Sequence, residues 1–378
     1  MARICHLTLL NPATHTRIFA KIARSQLALG HEVMVAGQDE SPHPYLCQGV
    51  TIFPLKPFRR LSPQRILAQI RILRTAVRAR AHLYTIHTPE LIFVALFLRW
   101  FRGAKIIYDV HEDYAANIRY GKHYPAFLKY LLAGGVRFIE KRFVSQTDAI
   151  SFAEACYAGI FDEPKGKRFF LRNKFQMSVP LADSESLVPP FPYLLYTGTI
   201  AEDWGIFETI ALWKKMNQVQ PINLVVAGHS QDFRVLQKLE RMVAESGLEN
   251  QFTLIGGEKY AAHSVILSLI KNCTFGTALY RMGVHISGKI PTKFYEYMAF
   301  GKPLVFTSDP YWNGLNQQME FGVPYDDVTD ISALLEAIAE KIANPEPHRK
   351  EDFHWSGEEG ELRKMLLFVL ENQNSSST

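Results

Sequence analysis

The chain has 378 residues, more than one hydrophobic core usually serves, so two domains of about 180 residues each are expected. With 47% hydrophobic and 21% charged residues it is an ordinary globular protein able to bury large cores. Its four cysteines, Cys5, Cys47, Cys156 and Cys273, are widely separated, which excludes a Cys-x-x-Cys zinc site and a disulfide framework and fits a reducing cytosol.

The opening Met1-Ala-Arg-Ile-Cys-His-Leu-Thr-Leu-Leu10 has no apolar secretion-signal core and reads as a first strand. In the first half, strands are expected at Arg3–Leu9, Glu32–Ala36, His82–Ile86, Lys105–Val110 and Ala149–Phe152, with a helix from Arg17 to Leu29 closed by Gly30. From Arg59 to Arg80 the sequence holds seven arginines and no acid. Leu67, Ile70, Leu73 and Val77 recur at helical spacing, and Arg71, Arg74 and Arg78 recur on another face. A second basic stretch, Arg119 to Arg142, carries six Lys and Arg against the single acid Glu140. Both suit anionic lipid headgroups; no nucleic-acid-binding motif accompanies them, so no nucleic-acid partner is expected. The longest apolar segment, Leu91 to Phe101, is broken by Arg99 and is too short for the roughly 20 residues that cross a bilayer. Any membrane contact is therefore expected to be peripheral, at the cytoplasmic face.

Phe175 to Pro192 carries four prolines and no sustained period, and reads as an interdomain linker. A second alternation follows: strand Tyr193–Thr197, helix Gly205–Val219, strand Asn223–Ala227, helix Asp232–Gly247, strand Gln251–Ile255, then strands Phe275–Leu279 and Pro303–Thr307 and a helix Asp330–Asn344. Both halves thus read as α/β, with parallel sheets covered by helices. A last helix is expected from Glu358 to Glu371.

Pro291-Thr-Lys-Phe-Tyr-Glu-Tyr-Met-Ala-Phe-Gly-Lys-Pro-Leu-Val305 reads as a helix that opens at a proline, ends at Gly301 and feeds a strand. Its first-turn N–H groups, Thr292 among them, with Lys293, make a seat for phosphate, and Glu296 lies one turn further in. The plain alternative is an amphipathic helix packing Phe294, Met298 and Phe300, with Lys293 and Glu296 merely solvated. The stretch resembles the donor-site signature of GT-B glycosyltransferases of the retaining family 4. Ile107-Tyr-Asp-Val-His-Glu-Asp-Tyr114 resembles the signature of a branch of that family linked to cell-surface polysaccharide and lipopolysaccharide assembly.

The resemblance implies two Rossmann-like, doubly wound domains facing a central cleft: an acceptor domain over 1–178 and a nucleotide-sugar domain over 193–350, with the terminal segment 355–378 returning to the first. It implies a metal-independent retaining transferase that uses a nucleotide-sugar cosubstrate and no other cofactor, with a glycan or lipid-linked acceptor. Glu296 would accept hydrogen bonds from the donor ribose and, with His111, serve the reacting centre. Gly198 would admit the diphosphate and Gly256 the base. Thr16, Arg17 and Asp113 would meet the acceptor or a phosphate, though capping is an equal role for Thr16.

Three positions depart from the family pattern. Trp204 stands where a cation is usual, Gly288 where the sugar-contacting carboxylate is usual, and Thr88 where an aspartate is usual. Lys293, Lys289 and Arg281 are the candidate replacements for the missing cation, and the backbone around Gly288 for the carboxylate. These departures leave open a silent sugar-nucleotide binder, or a related phosphorylase or epimerase.

Overall fold

The computed structural model describes residues 1–58, 62–120, 125–161, 165–183, 189, 192–283, 286–345 and 349–371. Arg59, Arg60, part of the second basic stretch and part of the proline-rich linker lie outside them. The chain divides into two compact units, Met1–Gln176 joined by the segment from Glu358 onward, and Met177–Gly357.

Unit 1 holds β1 (Arg3–Pro12), a π-helical segment Thr16–Ala23 that continues as α1 (Arg24–Ala28), β2 (Glu32–Gln38), β3 (Tyr45–Cys47), β4 (Val50–Leu55) and α2 (Gln64–Ala79). It continues with β5 (Leu83–Ile86), α3 (Ile92–Arg102), β6 (Lys105–Val110), α4 (Tyr114–Tyr120), α5 (Ala126–Val144), β7 (Ala149–Phe152) and β8 (Arg168–Phe170). The strands form one sheet in the order β3-β4-β2-β1-β5-β6-β7-β8, in which only β3 runs antiparallel to its neighbour. Its β3–β4 hairpin turns through Gln48 and Gly49, both at positive φ (48° and 85°), as a tight two-residue hairpin turn requires.

Unit 2 holds β9 (Tyr193–Thr199), α6 (Ile206–Asn217), β10 (Asn223–His229), α7 (Phe233–Ala244), β11 (Phe252–Gly257), α8 (His263–Asn272) and β12 (Phe275–Ala278). There follow α9 (Thr292–Ala299), β13 (Leu304–Thr307), α10 (Pro310–Met319), β14 (Gly322–Tyr325), α11 (Ile331–Ala343) and α12 (Lys350–Phe353). Its sheet is wholly parallel, in the order β11-β10-β9-β12-β13-β14. Strand order reverses between β9 and β12, as it does between β1 and β5 in unit 1, and such switch points open a crevice at the strands' carboxyl ends.

Every strand anticipated from sequence is present. The four that were not, β3, β4, β8 and β14, are short or carry a proline (Pro54, Pro324) that interrupts the alternation. The expected Arg17–Leu29 helix is π-helical over its first part, and Pro291 proves to be the residue before α9, whose first turn starts at Thr292. In α2 the sheet takes Ala68, Ile72 and Ala76; of the apolar set read from the sequence, Leu67 and Ile70 are exposed and Leu73 and Val77 half-buried.

The last helix, α13 (Glu359–Glu371), belongs to unit 1. Phe368 meets Phe169 with ring centroids 5.7 Å apart, Ser25 donates to Glu359 at 2.9 Å, and Glu358 both accepts from the Arg172 N–H and pairs with Lys174 at 2.6 Å.

One buried acid in unit 1 works against folding. Glu140 on α5 accepts from Tyr108 Oη at 2.6 Å, but its Oε2 has no partner among the described residues, and burial pushes its carboxyl up to about 7. A carboxyl raised in the folded state costs stability increasingly as pH rises from its unfolded value towards 7. The stability of Glu140→Gln relative to the parent should therefore climb by on the order of 2 kcal/mol between about pH 4.5 and pH 7 and then level off, as read by urea unfolding across pH.

Candidate functional site

In unit 1 the switch point collects polar side chains that an apolar sheet edge would not otherwise tolerate. Asp109, on β6, is fully buried. Arg17, projected inward from the π-helical segment, grips it with Nη2 at 2.7 Å from Oδ1 and Nε at 3.0 Å from Oδ2, while Nη1 donates to the Leu171 carbonyl at 2.6 Å. Ser151 on β7 donates to Oδ1 at 2.7 Å. Two histidines share Oδ2: His111 Nε2 at 2.5 Å and His87 Nδ1 at 3.1 Å. Burial alone would raise the Asp109 carboxyl, but Arg17, His111 and His87 together hold it well below the usual carboxylate range.

The network runs deeper. His87 Nε2 lies 3.0 Å from His6 Nδ1, and His6 Nε2 lies 2.7 Å from the Gln26 amide. With Asp109 ionised, His111 Nε2 carries a proton towards it, and the same nitrogen lies 2.9 Å from His87 Nδ1. Two proton orders close the relay. Either His87 donates to Asp109 through Nδ1 and accepts from His6, with the Gln26 amide turned over, or His87 Nδ1 accepts from His111 and its Nε2 donates to His6, whose Nε2–H meets the Gln26 oxygen as it stands. Burial pushes His6 down to about 4 and lowers His87 well below its usual value. Both orders leave Nδ1 of His111 facing away from Asp109. His15 stacks near His111, ring centroids 6.2 Å apart, and both line a cavity of about 390 Å³ with Asn11, Thr88 and Glu112.

His87 Nδ1, Asp109 Oδ2 and His111 Nε2 converge closely enough to offer a cation three ligands. The guanidinium of Arg17, lying bidentate on the same carboxylate, already supplies positive charge there. Arg17 thus faces Asp109 as well as bordering the cavity. Asp113 caps α4 by accepting from the Ala116 N–H at 2.9 Å and pairs with Arg137. Thr16 opens the π-helical segment without a side-chain cap, and Thr88 likewise precedes its turn with Oγ1 buried and unpartnered.

In unit 2, α9 is seated by aromatic packing. Tyr297 lies against Gly276, where an added Cβ would come within 2.0 Å of its ring, and donates to the Leu195 carbonyl at 3.2 Å. Phe294 sits among Phe306, Trp312 and Phe321. This anchoring leaves Lys293 pointing across the sheet end. The residue is 8% exposed, and its ammonium lies 4.9 Å from the Tyr196 ring centroid and 5.1 Å from that of Tyr280, with no carboxylate at ion-pair distance among the described residues. Burial pushes it down to about 8, against the raising influence of Glu296. Glu296, one turn on, meets His263 Nε2 at 3.1 Å, and Thr292 is exposed.

Beside Tyr196 the strand ends are bare backbone. Gly198, Gly228 and Gly256 stand in register across β9, β10 and β11. A Cβ on Gly228 would lie 1.7 Å from the Gly198 oxygen, and one on Gly256 2.1 Å from the Gly228 oxygen. Gly288, at φ 71°, shapes the loop before α9, where the Lys289 carbonyl accepts from Trp312 Nε1 at 2.8 Å. Arg281 differs from its expected role: its guanidinium is held by Glu208 and Glu202, each at 2.6 Å, so its charge is already compensated. Trp204 packs edge-on against Tyr280, ring centroids 5.4 Å apart.

Of the residues singled out from the sequence, Arg17 and His111 meet at the switch point of unit 1, and Gly198, Gly256, Lys293 and Glu296 lie in unit 2 as described, whereas His6, His87, Gln26 and Gly228 were not singled out. A histidine inside an otherwise apolar strand was the available signal for His6.

Residues 14–166 match the Glycosyl transferase 4-like domain, and residues 182–353 match the domain of Glycosyl transferases group 1. The chain is a glycosyltransferase built from these two domains on the GT-B fold. Among curated proteins none matches it in sequence. Its structure is similar to a sucrose-phosphate synthase from Thermosynechococcus elongatus (15% identity, TM-score 0.65, covering 98% of this chain and 95% of that one). It is also similar to Anabaena Alr3699/HepE in complex with UDP and glucose (14%, 0.62, 97% and 99%). A third similar structure is an α,α-trehalose-phosphate synthase from Burkholderia xenovorans in complex with glucose-6-phosphate (12%, 0.61, 98% and 97%).

Removing one partner of the buried pair should expose its structural weight. Arg17→Met strands the Asp109 carboxylate and should cost about 3–5 kcal/mol in urea unfolding, whereas Arg71→Met on the surface should stay within about 0.5 kcal/mol.

Proposed function

We propose that the chain moves a sugar from a nucleotide-sugar donor to a hydroxyl of a glycan or lipid-linked acceptor, with retention and without a metal, in the assembly of a cell-surface polysaccharide or glycoconjugate. The observation that carries the donor half is Lys293. A buried ammonium with no carboxylate counter-ion among the described residues, at the first turn of α9 and against Tyr196 of the glycine-bearing strand β9, is a site arranged for an anion. A diphosphate would take the ammonium and the α9 N–H groups, and Glu296 would accept from the ribose hydroxyls. UDP and UDP-glucose in the HepE structures support a donor of this class.

For the transfer step, His111 is the candidate to orient the donor sugar, its Nε2–H fixed on Asp109 and Nδ1 free to accept from a hydroxyl. Stabilisation of the departing phosphate by preorganised charge would be the main catalytic contribution. The compensated charge of Arg281, with Trp204 and Gly288 at positions the family fills differently, keeps a second reading in play: a sugar-nucleotide binder without turnover. A panel of nucleotide sugars separates the two. Slow donor hydrolysis or transfer supports the enzyme, and saturable binding with neither supports the silent protein.

Lys293 binds a diphosphate best while protonated, so nucleoside diphosphate affinity should fall as pH rises above about 8, by up to ten-fold per unit until the higher value that the lysine takes in the complex is reached, and then level off. Isothermal titration across pH checks this, with Lys293→Gln giving weaker binding and a flat profile. Glu296→Ala should weaken the nucleotide by about ten-fold, as for loss of a charged hydrogen bond.

A further inference from the structure

The β4-to-β5, β5-to-β6 and β6-to-β7 crossovers of unit 1 all advance in one direction, so right-handed connection sets α2, α3 and α5 on one face of the sheet. They share one core cluster accordingly. The middle helix, α3, has no polar residue from Ile92 to Leu98. Its inner side buries Ile92, Ala95 and Leu98, but its outer side leaves Phe93 (67% exposed), Phe97, Trp100 (65%) and Phe101 (71%) uncovered. Single exposed apolar residues are ordinary; four aromatics on one face are not.

The flanking helices extend the pattern. α2 meets the sheet with Ala68, Ile72 and Ala76, leaving Ile66, Leu67 and Ile70 outside. On α5, Phe127, Leu131 and Phe138 are exposed. The exposed Arg71, Arg74 and Arg78 make no ion pair among the described residues. A helix apolar on all sides demands a cover, and the charges select it. A two-fold contact with a second copy would press arginine-rich helices together, whereas an anionic headgroup layer would accept the arginines while its acyl boundary takes the rings.

We propose that this helical face of unit 1 docks on an anionic bilayer, with α3 lying in the plane of the interface. No helix among the described residues is long and apolar enough to cross it. α3 follows His87 and Thr88 after the short turn Pro89–Leu91, and Arg65 of α2 pairs with Glu90 in that turn. The docked face therefore borders the histidine site, which suits an acceptor carried in the membrane. That last step, unlike the docking itself, rests on the transferase reading.

The test is sedimentation of the full chain with phosphatidylcholine vesicles that do or do not contain phosphatidylglycerol. The parent should bind the anionic vesicles, release them in high salt, and shift its tryptophan emission to the blue. Combined Phe93→Ser, Phe97→Ser and Trp100→Ser should weaken binding about ten-fold or more, as should combined Arg71→Glu, Arg74→Glu and Arg78→Glu. Circular dichroism and soluble donor hydrolysis should stay unchanged in both. Equal binding to neutral and anionic vesicles, no binding by the parent, or a dimer dispersed by the aromatic variant with vesicle binding intact would each overturn the proposal. Vesicle binding without any donor turnover would overturn the transferase reading and leave the docking standing.

Discussion

The ion pair between Arg17 and Asp109 is the constraint on which the first unit's polar site depends. Taking both charges out of water costs several kcal/mol for each ion, and the attraction repays that only when every remaining lone pair and proton is satisfied. Here the carboxylate is met by two guanidinium bonds, Ser151 and the two nearby imidazoles, and the guanidinium donates a third time to the Leu171 carbonyl. Because the carboxylate must stay ionised, it draws the His111 proton to Nε2. A pair buried at the junction of β6 and the π-helical segment thereby sets which nitrogen of His111 can meet a ligand.

The second unit reaches a receptive site by the opposite route, by removing side chains. Gly198, Gly228 and Gly256 cannot be replaced without driving a Cβ into a neighbouring carbonyl or straining a positive φ, so the carboxyl ends of three strands stay open. The aromatic residues around α9 supply the rigidity that the glycines lack. Tyr297 needs Gly276 beneath it, and Phe294 needs three rings around it, so Lys293 and Glu296 emerge from a helix with little freedom to reorient.

Local pattern made much of this legible. Strand–helix alternation exposed both sheets, and the runs Asp109 to Tyr114 and Pro291 to Pro303 carried their polar residues at strand and helix ends, where ligands are met. Arg17 was visible as a candidate, but its partner was not, because Asp109 lies 92 positions away and only the sheet brings them together. The same holds for the His6–His87 contact. The apolar segment Leu91 to Phe101 is too short to span a bilayer, but as most of α3 it presents two apolar sides, of which the sheet can cover only one. In α2, alanines rather than the larger residues face the sheet, since the small side chains let the helix approach closely, and hydropathy alone cannot anticipate that choice.

The two buried cations, finally, separate structure from function. Arg17 is surrounded by acceptors, so its burial is repaid within the unit and its removal is a loss to the fold. Lys293 is almost as deeply buried yet has only ring faces and a distant carboxylate for company. Cation–π contact with two tyrosines returns on the order of 1–2 kcal/mol each at best, less than an unpaired ammonium loses in leaving water. Burial pushes Lys293 down to about 8, the direction that such a deficit dictates. A fold selected for stability alone would place an apolar residue there or bring in a carboxylate. On the donor reading proposed above, an anion completes the set, because the desolvation would then be met in advance and an incoming phosphate would gain the full attraction.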